Sequence, residues 1–188
     1  VKGIFTDDEF EEINDLARKR YEIKDKANPN RDQHILNNNQ HLTDYLGVAG
    51  EFAVAKYFGI PMDTSVSLNG DGGIQDLNLD EWSVQVKTSG YTGRDGYMIY
   101  DTKEEIKALI NILVVVKDRS YEIVGFLSKK DVLDSLVNKN FGHGDRVCVH
   151  RDRLRPIAEL KYYHKEKEFK ELKKKFVEVY DLLFNHNN

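Results

Sequence analysis

Asp76, Gln85 and Lys87 have the residue types and spacing of a site that could process phosphate esters. In Ser83-Val84-Gln85-Val86-Lys87-Thr88-Ser89 two valines alternate with an amide and an ammonium. An extended chain therefore turns Val84 and Val86 to one face and Gln85 and Lys87 to the other. Asp76-Leu77 alternates in the same way, and Asn78 to Glu81 supply a polar turn that would pair the two strands as a hairpin. Carboxylate, amide oxygen and ammonium then converge on one face. Oxygen ligands of this kind hold a hard divalent cation, while the ammonium faces a phosphate or an attacking water. The preceding Gly70-Asp71-Gly72-Gly73 adds another acid, Asp71, but its setting among glycines suits a turn better than a ligand.

A fourth candidate lies upstream. From Asp44 to Phe58 the sequence predicts a helix ended by Gly59 and Pro61, with apolar or small residues all the way round from Tyr45. Glu51 is the only acid within Tyr45 to Phe58. Burying a carboxylate is costly unless a cation, a metal or strong hydrogen bonds go with it. Gly47 and Gly50 would let the helix pass close to a strand and set Glu51 against it. The alternative is an inert ion pair of Glu51 with Lys56 or Lys87.

In order, Gly50-Glu51-Phe52-Ala53-Val54-Ala55, Gly70-Asp71-Gly72-Gly73 to Asp76-Leu77, and Gln85-Val86-Lys87-Thr88-Ser89 resemble the PD-(D/E)XK nuclease superfamily, the restriction-endonuclease-like fold. With the later Ile112 to Leu127 and the step through Ser128 into a helix, the resemblance spans about Leu46 to Val137. It implies an α/β fold with a mixed central sheet flanked by helices, and Mg2+-dependent hydrolysis of DNA phosphodiesters, with Mn2+ as a substitute. Glu51 and Asp76 would be metal ligands, Gln85 would stand where the family usually has an acid, and Lys87 would be the lysine of the motif. Gln85 is the departure, since its oxygen can ligate magnesium but brings no charge and cannot act as a base. Two other readings follow from the same residues: a non-catalytic nucleic-acid-binding member of this fold, or an interaction protein that assembles through its C-terminal helix.

The elements that must position these groups are legible in outline. Thr6 and Glu9 form a capping-box pattern, and Phe10, Ile13, Leu16, Ala17 and Tyr21 predict a first helix to about Lys24. Turn chemistry follows in Ala27 to Asp32 and in Asn37-Asn38-Asn39. After the hairpin, a short helix is expected over Lys103 to Ile110, then strands over Ile112 to Val116 and Tyr121 to Leu127. A helix capped by Ser128 is expected over Lys129 to Val137, and an edge strand over Val147 to Val149. From about Glu159 to Phe184 the pattern is an amphipathic helix with Phe169, Leu172, Phe176, Val179, Tyr180 and Leu183 along one side. That division gives a nuclease-like domain over 1–158 and a basic helix over 159–188, packed on the domain or on a second copy as a homodimer.

Composition sets the bounds. At 188 residues, 40% hydrophobic and 32% charged, the chain suits one soluble domain. The net charge of −4 hides a segregation, because Lys161 to Lys175 holds seven lysines and three glutamates. Lys170, Lys173 and Lys174 are the candidate DNA contacts of that stretch. No apolar run reaches the roughly 20 residues a bilayer needs, so no membrane partner is expected. The start shows no signal-peptide pattern and Cys148 is the single cysteine, which together predict an intracellular, cytoplasmic protein with a small buried thiol. The six histidines lack zinc spacing and suit surface or loop positions. Trp82 suits core packing better than base stacking, and no phosphate-cradling G-x-x-x-x-G-K-[ST] pattern occurs.

Overall fold

The computed structural model describes residues 1–27, 39–64, 75–90, 96–142, 144–162 and 164. A short strand, β1 (Lys2–Ile4), leads into helix α1 (Asp7–Ala27), whose start is the capping box: Thr6 N–H donates to Glu9 at 2.9 Å and Glu9 N–H to Thr6 Oγ1 at 3.3 Å. Asp7, Asp8 and Glu9 in its first turn and Lys24 and Lys26 in its last complement the helix dipole. Helix α2 (Asn39–Phe58) begins earlier than expected and takes Asn39 out of the asparagine run. It ends at Gly59, whose φ of 72° lets its N–H return to the Ala55 carbonyl at 2.8 Å.

Strands β2 (Leu77–Leu79) and β3 (Trp82–Ser89) form the expected hairpin with a tighter turn than expected: Asn78 and Leu79 belong to β2, with Leu77 opposite Val84 and Leu79 opposite Trp82, and only Asp80 and Glu81 connect the strands. β4 (Tyr97–Tyr100) and a 3-10 turn (Lys103–Glu105) precede β5 (Ile110–Lys117), β6 (Ser120–Ser128), α3 (Lys129–Ser135), β7 (Val137–Asn140) and β8 (Asp145–His150). Both tight hairpins turn through an aspartate in the left-handed region, Asp80 at φ 55° and Asp118 at φ 53°, a conformation that Asp tolerates better than most residues.

The main sheet is mixed, with order β1-β6-β5-β3-β2; β3 and β5 run parallel and the other pairs antiparallel. β5 is buried from Ile110 to Val116, as a strand covered on both faces must be. On one face Val84, Val86, Ile112 and Val114 pack with Ile13, Leu16 and Ala17 of α1 and Val48, Ala53 and Val54 of α2. On the other, Leu113 and Leu127 meet Met98, Tyr100, Ile106, Val132 and Val149. The strands of this second layer form a small antiparallel sheet, β4-β8-β7. Between the pairs Leu113–Gly125 and Val114–Ile123, Val124 is an extra residue in β6 and bulges the ladder. Residues 157–162 are helical, and Ile157 and Leu160 join the main core. No described helix is long and apolar enough to cross a membrane.

Several local expectations change. Only Lys103–Glu105 of the expected Lys103 to Ile110 helix is helical, because Ile106 turns into the second cluster and Ile110 already pairs with Val84. α3 stops at Ser135 since Val137 pairs with Cys148. β8 is the centre of its sheet, not an edge. Cys148 is fully buried in a strand and Trp82 packs on the main core, both as expected.

Candidate functional site

The hairpin brings three of the four candidates together. Asp76, just before β2, donates its N–H to the Val84 carbonyl at 2.8 Å, and its Oδ2 accepts from Val86 N–H at 2.6 Å. These bonds straddle Gln85 and hold Asp76 across from it. Val84 and Val86 face α2, so alternation sends Gln85 and Lys87 to the opposite face. Gln85 Oε1 is buried there with no hydrogen-bond partner among the described residues. Ser89, next along the same face, is 6% exposed and its Oγ is likewise unpartnered.

Lys87 points over the ring of Tyr100, with Nζ 4.8 Å from its centroid and 3.5 Å from Glu105 Oε2. Tyr100 is almost wholly buried and its OH donates to Asn111 Oδ1 at 2.9 Å. Burial first, and the charge of Glu105 second, push the Tyr100 phenol well above its ordinary range, so it stays a neutral donor. Neither Tyr100 nor Glu105 stands out in the sequence, because each meets Lys87 only through the packing of β4 and the 3-10 turn on β3.

Glu51 is placed differently. α2 does approach β3 through a glycine: a Cβ on Gly50 would lie 1.8 Å from Thr88 Oγ1, whereas Gly47 faces open space. Yet both Glu51 oxygens accept from Arg20 Nη1, at 3.0 and 2.9 Å, and Arg20 Nη2 donates to the Asp63 carbonyl at 3.1 Å. The expected lysine partners are engaged elsewhere, Lys56 with Glu9 at 2.7 Å and Lys87 with Glu105. A sequence signal for Arg20 existed. It continues the Ile13–Leu16–Ala17 stripe of α1, where a cation must find a buried counter-charge.

Among the described residues no three His, Cys, Asp or Glu side chains converge as a metal cluster. Of the histidines, His164 departs from the expected surface role: it is buried, with Nδ1 2.8 Å from Asp80 Oδ2 at the hairpin turn and its ring edge-on to Phe58. Lys161 donates to the Tyr57 carbonyl at 2.6 Å. Asp71, Lys170, Lys173 and Lys174 lie outside the described residues. The chain matches no protein-family model, and comparison with curated proteins and with solved structures finds no similar chain.

Proposed function

We propose that the chain is a Mg2+-dependent DNA endonuclease of the PD-(D/E)XK, restriction-endonuclease-like type, acting inside the cell. The observation that carries this reading is the hairpin register, which sets Asp76 across from Gln85 and Lys87 on the same face, with Gln85 Oε1 buried and unpartnered. A buried oxygen in that state is costly unless a donor or a cation meets it. Asp76 and Gln85 are hard oxygen donors that suit Mg2+, or Mn2+ in its place. Glu51 joins the set only on release from Arg20. A metal held there would supply neutralisation of phosphate charge and a more acidic bound water. Lys87, 24% exposed at its side chain, stabilises the charge that develops on the phosphate. The mixed sheet with α2 beneath β3 supports the fold, and the lysines of 161–175 supply phosphate contacts.

The test is incubation of the protein with supercoiled, linear duplex and single-stranded DNA in Mg2+, Mn2+ or EDTA. Metal-dependent cleavage should fall by about a hundredfold or more in Lys87→Ala and in Asp76→Asn. Asparagine is the informative change at 76, because its Oδ1 can still accept from Val86 N–H. Undiminished turnover in either variant overturns the assignment.

One observation favours a second reading. Arg20 holds both oxygens of Glu51 and Gln85 is neutral, which suits a member of the fold that binds DNA without cutting it. In that case DNA binding is salt-sensitive and cleavage is absent. Replacing Lys170, Lys173 and Lys174 with glutamine then lowers the salt slope by roughly 0.9 per lost contact.

A further inference from the structure

Among the described residues Lys87 is the one cation of the β2–β3 hairpin, and a lysine side chain has four flexible carbons that must be held if its ammonium is to act at a fixed point. Two groups meet it. Tyr100 lies beneath, 4.8 Å from Nζ to ring centroid, and the far end of its side chain is held by the bond from its OH to Asn111, whose Nδ2 donates to the Ala108 carbonyl at 3.2 Å. Glu105 stands beside it at 3.5 Å, and the same Oε2 accepts from Asp101 N–H at 3.2 Å, which ties the carboxylate to the backbone of its own turn. The ammonium is therefore bracketed by a buried ring and a carboxylate that is anchored. Gln85, two residues away on the same face, offers no charge that could do this.

We propose that Glu105, with Tyr100 as floor, is the positioning residue of Lys87: it supplies the negative charge that the position of Gln85 lacks and fixes the ammonium where it meets a phosphate. The proposal rests on the nuclease reading for what Lys87 does, but the seat itself can be measured apart from any activity. Glu105→Gln keeps an oxygen for Asp101 N–H and removes only the charge, so the turn should be retained.

The experiment has two arms. In the first, Lys87 acetylation by acetic anhydride is followed by mass spectrometry on the full chain. Glu105→Gln should raise the rate at Lys87 several-fold while the rate at exposed Lys130 stays as in wild type; an unchanged rate at Lys87 overturns the seat. In the second, cleavage of an end-labelled DNA duplex in Mg2+ should show kcat reduced roughly tenfold to a hundredfold in Glu105→Gln with KM within about twofold, and most of the loss restored in Glu105→Asp. In a Lys87→Ala background Glu105→Gln should add nothing, and a further loss there would overturn the positioning role. If the wild-type protein cuts no DNA, the nuclease reading falls and the acetylation arm alone decides the seat.

Discussion

The carboxylates between α1 and α2 and the polar groups of the β2–β3 hairpin are finished in different ways. Three ion pairs run in antiparallel order along the two helices: Glu9 with Lys56, Arg20 with Glu51, and Lys24 with Asp44. Each of these acids has a cation within hydrogen-bond reach. Across the sheet, Gln85 Oε1 has no partner among the described residues, and Lys87, its side chain 24% exposed, reaches a carboxylate only at 3.5 Å. Charge that is committed to joining helices stabilises the fold; oxygen and ammonium groups with unmet capacity are the ones left for a ligand. On this comparison Glu51 is paired within the helix scaffold, and Gln85 and Lys87 are the groups on which the proposed site draws.

The sharpest way to break the comparison is at Arg20. Its side chain is 20% exposed and that of Glu51 11%, so Arg20→Ala leaves a largely buried carboxylate without its cation. Loss of about 3 kcal/mol is expected, read as a lower denaturation midpoint in urea with an unchanged slope. Glu51→Gln should also destabilise the metal-free protein, by less, because the amide can still accept one bond from Arg20. A Glu51→Gln protein that is more stable than wild type in EDTA would mean the carboxylate is strained for metal binding, and would move Glu51 across to the site.

A smaller effect is expected where the two regions touch. Gly50 is the contact that lets α2 lie on β3, and an added Cβ would meet Thr88 Oγ1 at 1.8 Å and Thr88 Cβ at 3.0 Å. Gly50→Ala should therefore cost about 2 kcal/mol by overpacking. Thr88 Oγ1 is buried without a partner, so Thr88→Ala should be close to neutral alone and should recover part of the loss in the double variant. Thermal denaturation of the three proteins checks this. Full additivity would mean that the helix and strand do not meet at this point.

Much of the site region was legible because its signals are local. The alternation of Val84 and Val86 with Gln85 and Lys87, the polar turn ending at Glu81, and the Thr6–Glu9 box each act within a few residues; the pair Leu77–Val84 forms as that pattern requires, while Asn78 and Leu79, expected in the turn, extend β2 and pair with Ser83 and Trp82. The second layer was not legible. β4 and β7 are four residues each, and what makes them strands is pairing with β8, about 50 residues from β4 in sequence; tertiary contact outweighs local preference at that length. Ile106 shows the converse, where burial in the second cluster ends a helical pattern after one turn. The partner of Glu51 was missed for a related reason. Lysines at 56 and 87 are near in sequence or motif, but the geometry of two antiparallel helices puts Arg20, 31 residues away, against it.

The smallest effect concerns the far end of the same helix pair, and its pH dependence has a definite sign. Burial raises the Glu9 carboxyl, but hydrogen bonds from Lys56 and from Thr6 outweigh it and hold Glu9 below the usual glutamate range. A carboxyl whose folded-state affinity for protons is lowered contributes stability above its unfolded-state pKa and loses it as pH falls through the folded-state value. Glu9→Gln should therefore cost about 0.5 kcal/mol near neutral pH, the size of an exposed ion pair, because the amide oxygen can still accept from Thr6 N–H. The difference from wild type should shrink below about pH 4.5 and vanish once Glu9 is protonated in both states. High salt should remove the part due to Lys56 and leave the bond to Thr6 N–H. Urea midpoints of the two proteins from pH 7 to pH 3, with and without salt, read both contributions. A difference that grows toward low pH would reverse the sign argued for Glu9 and remove it from the set of committed charges that separates the helix pair from the hairpin.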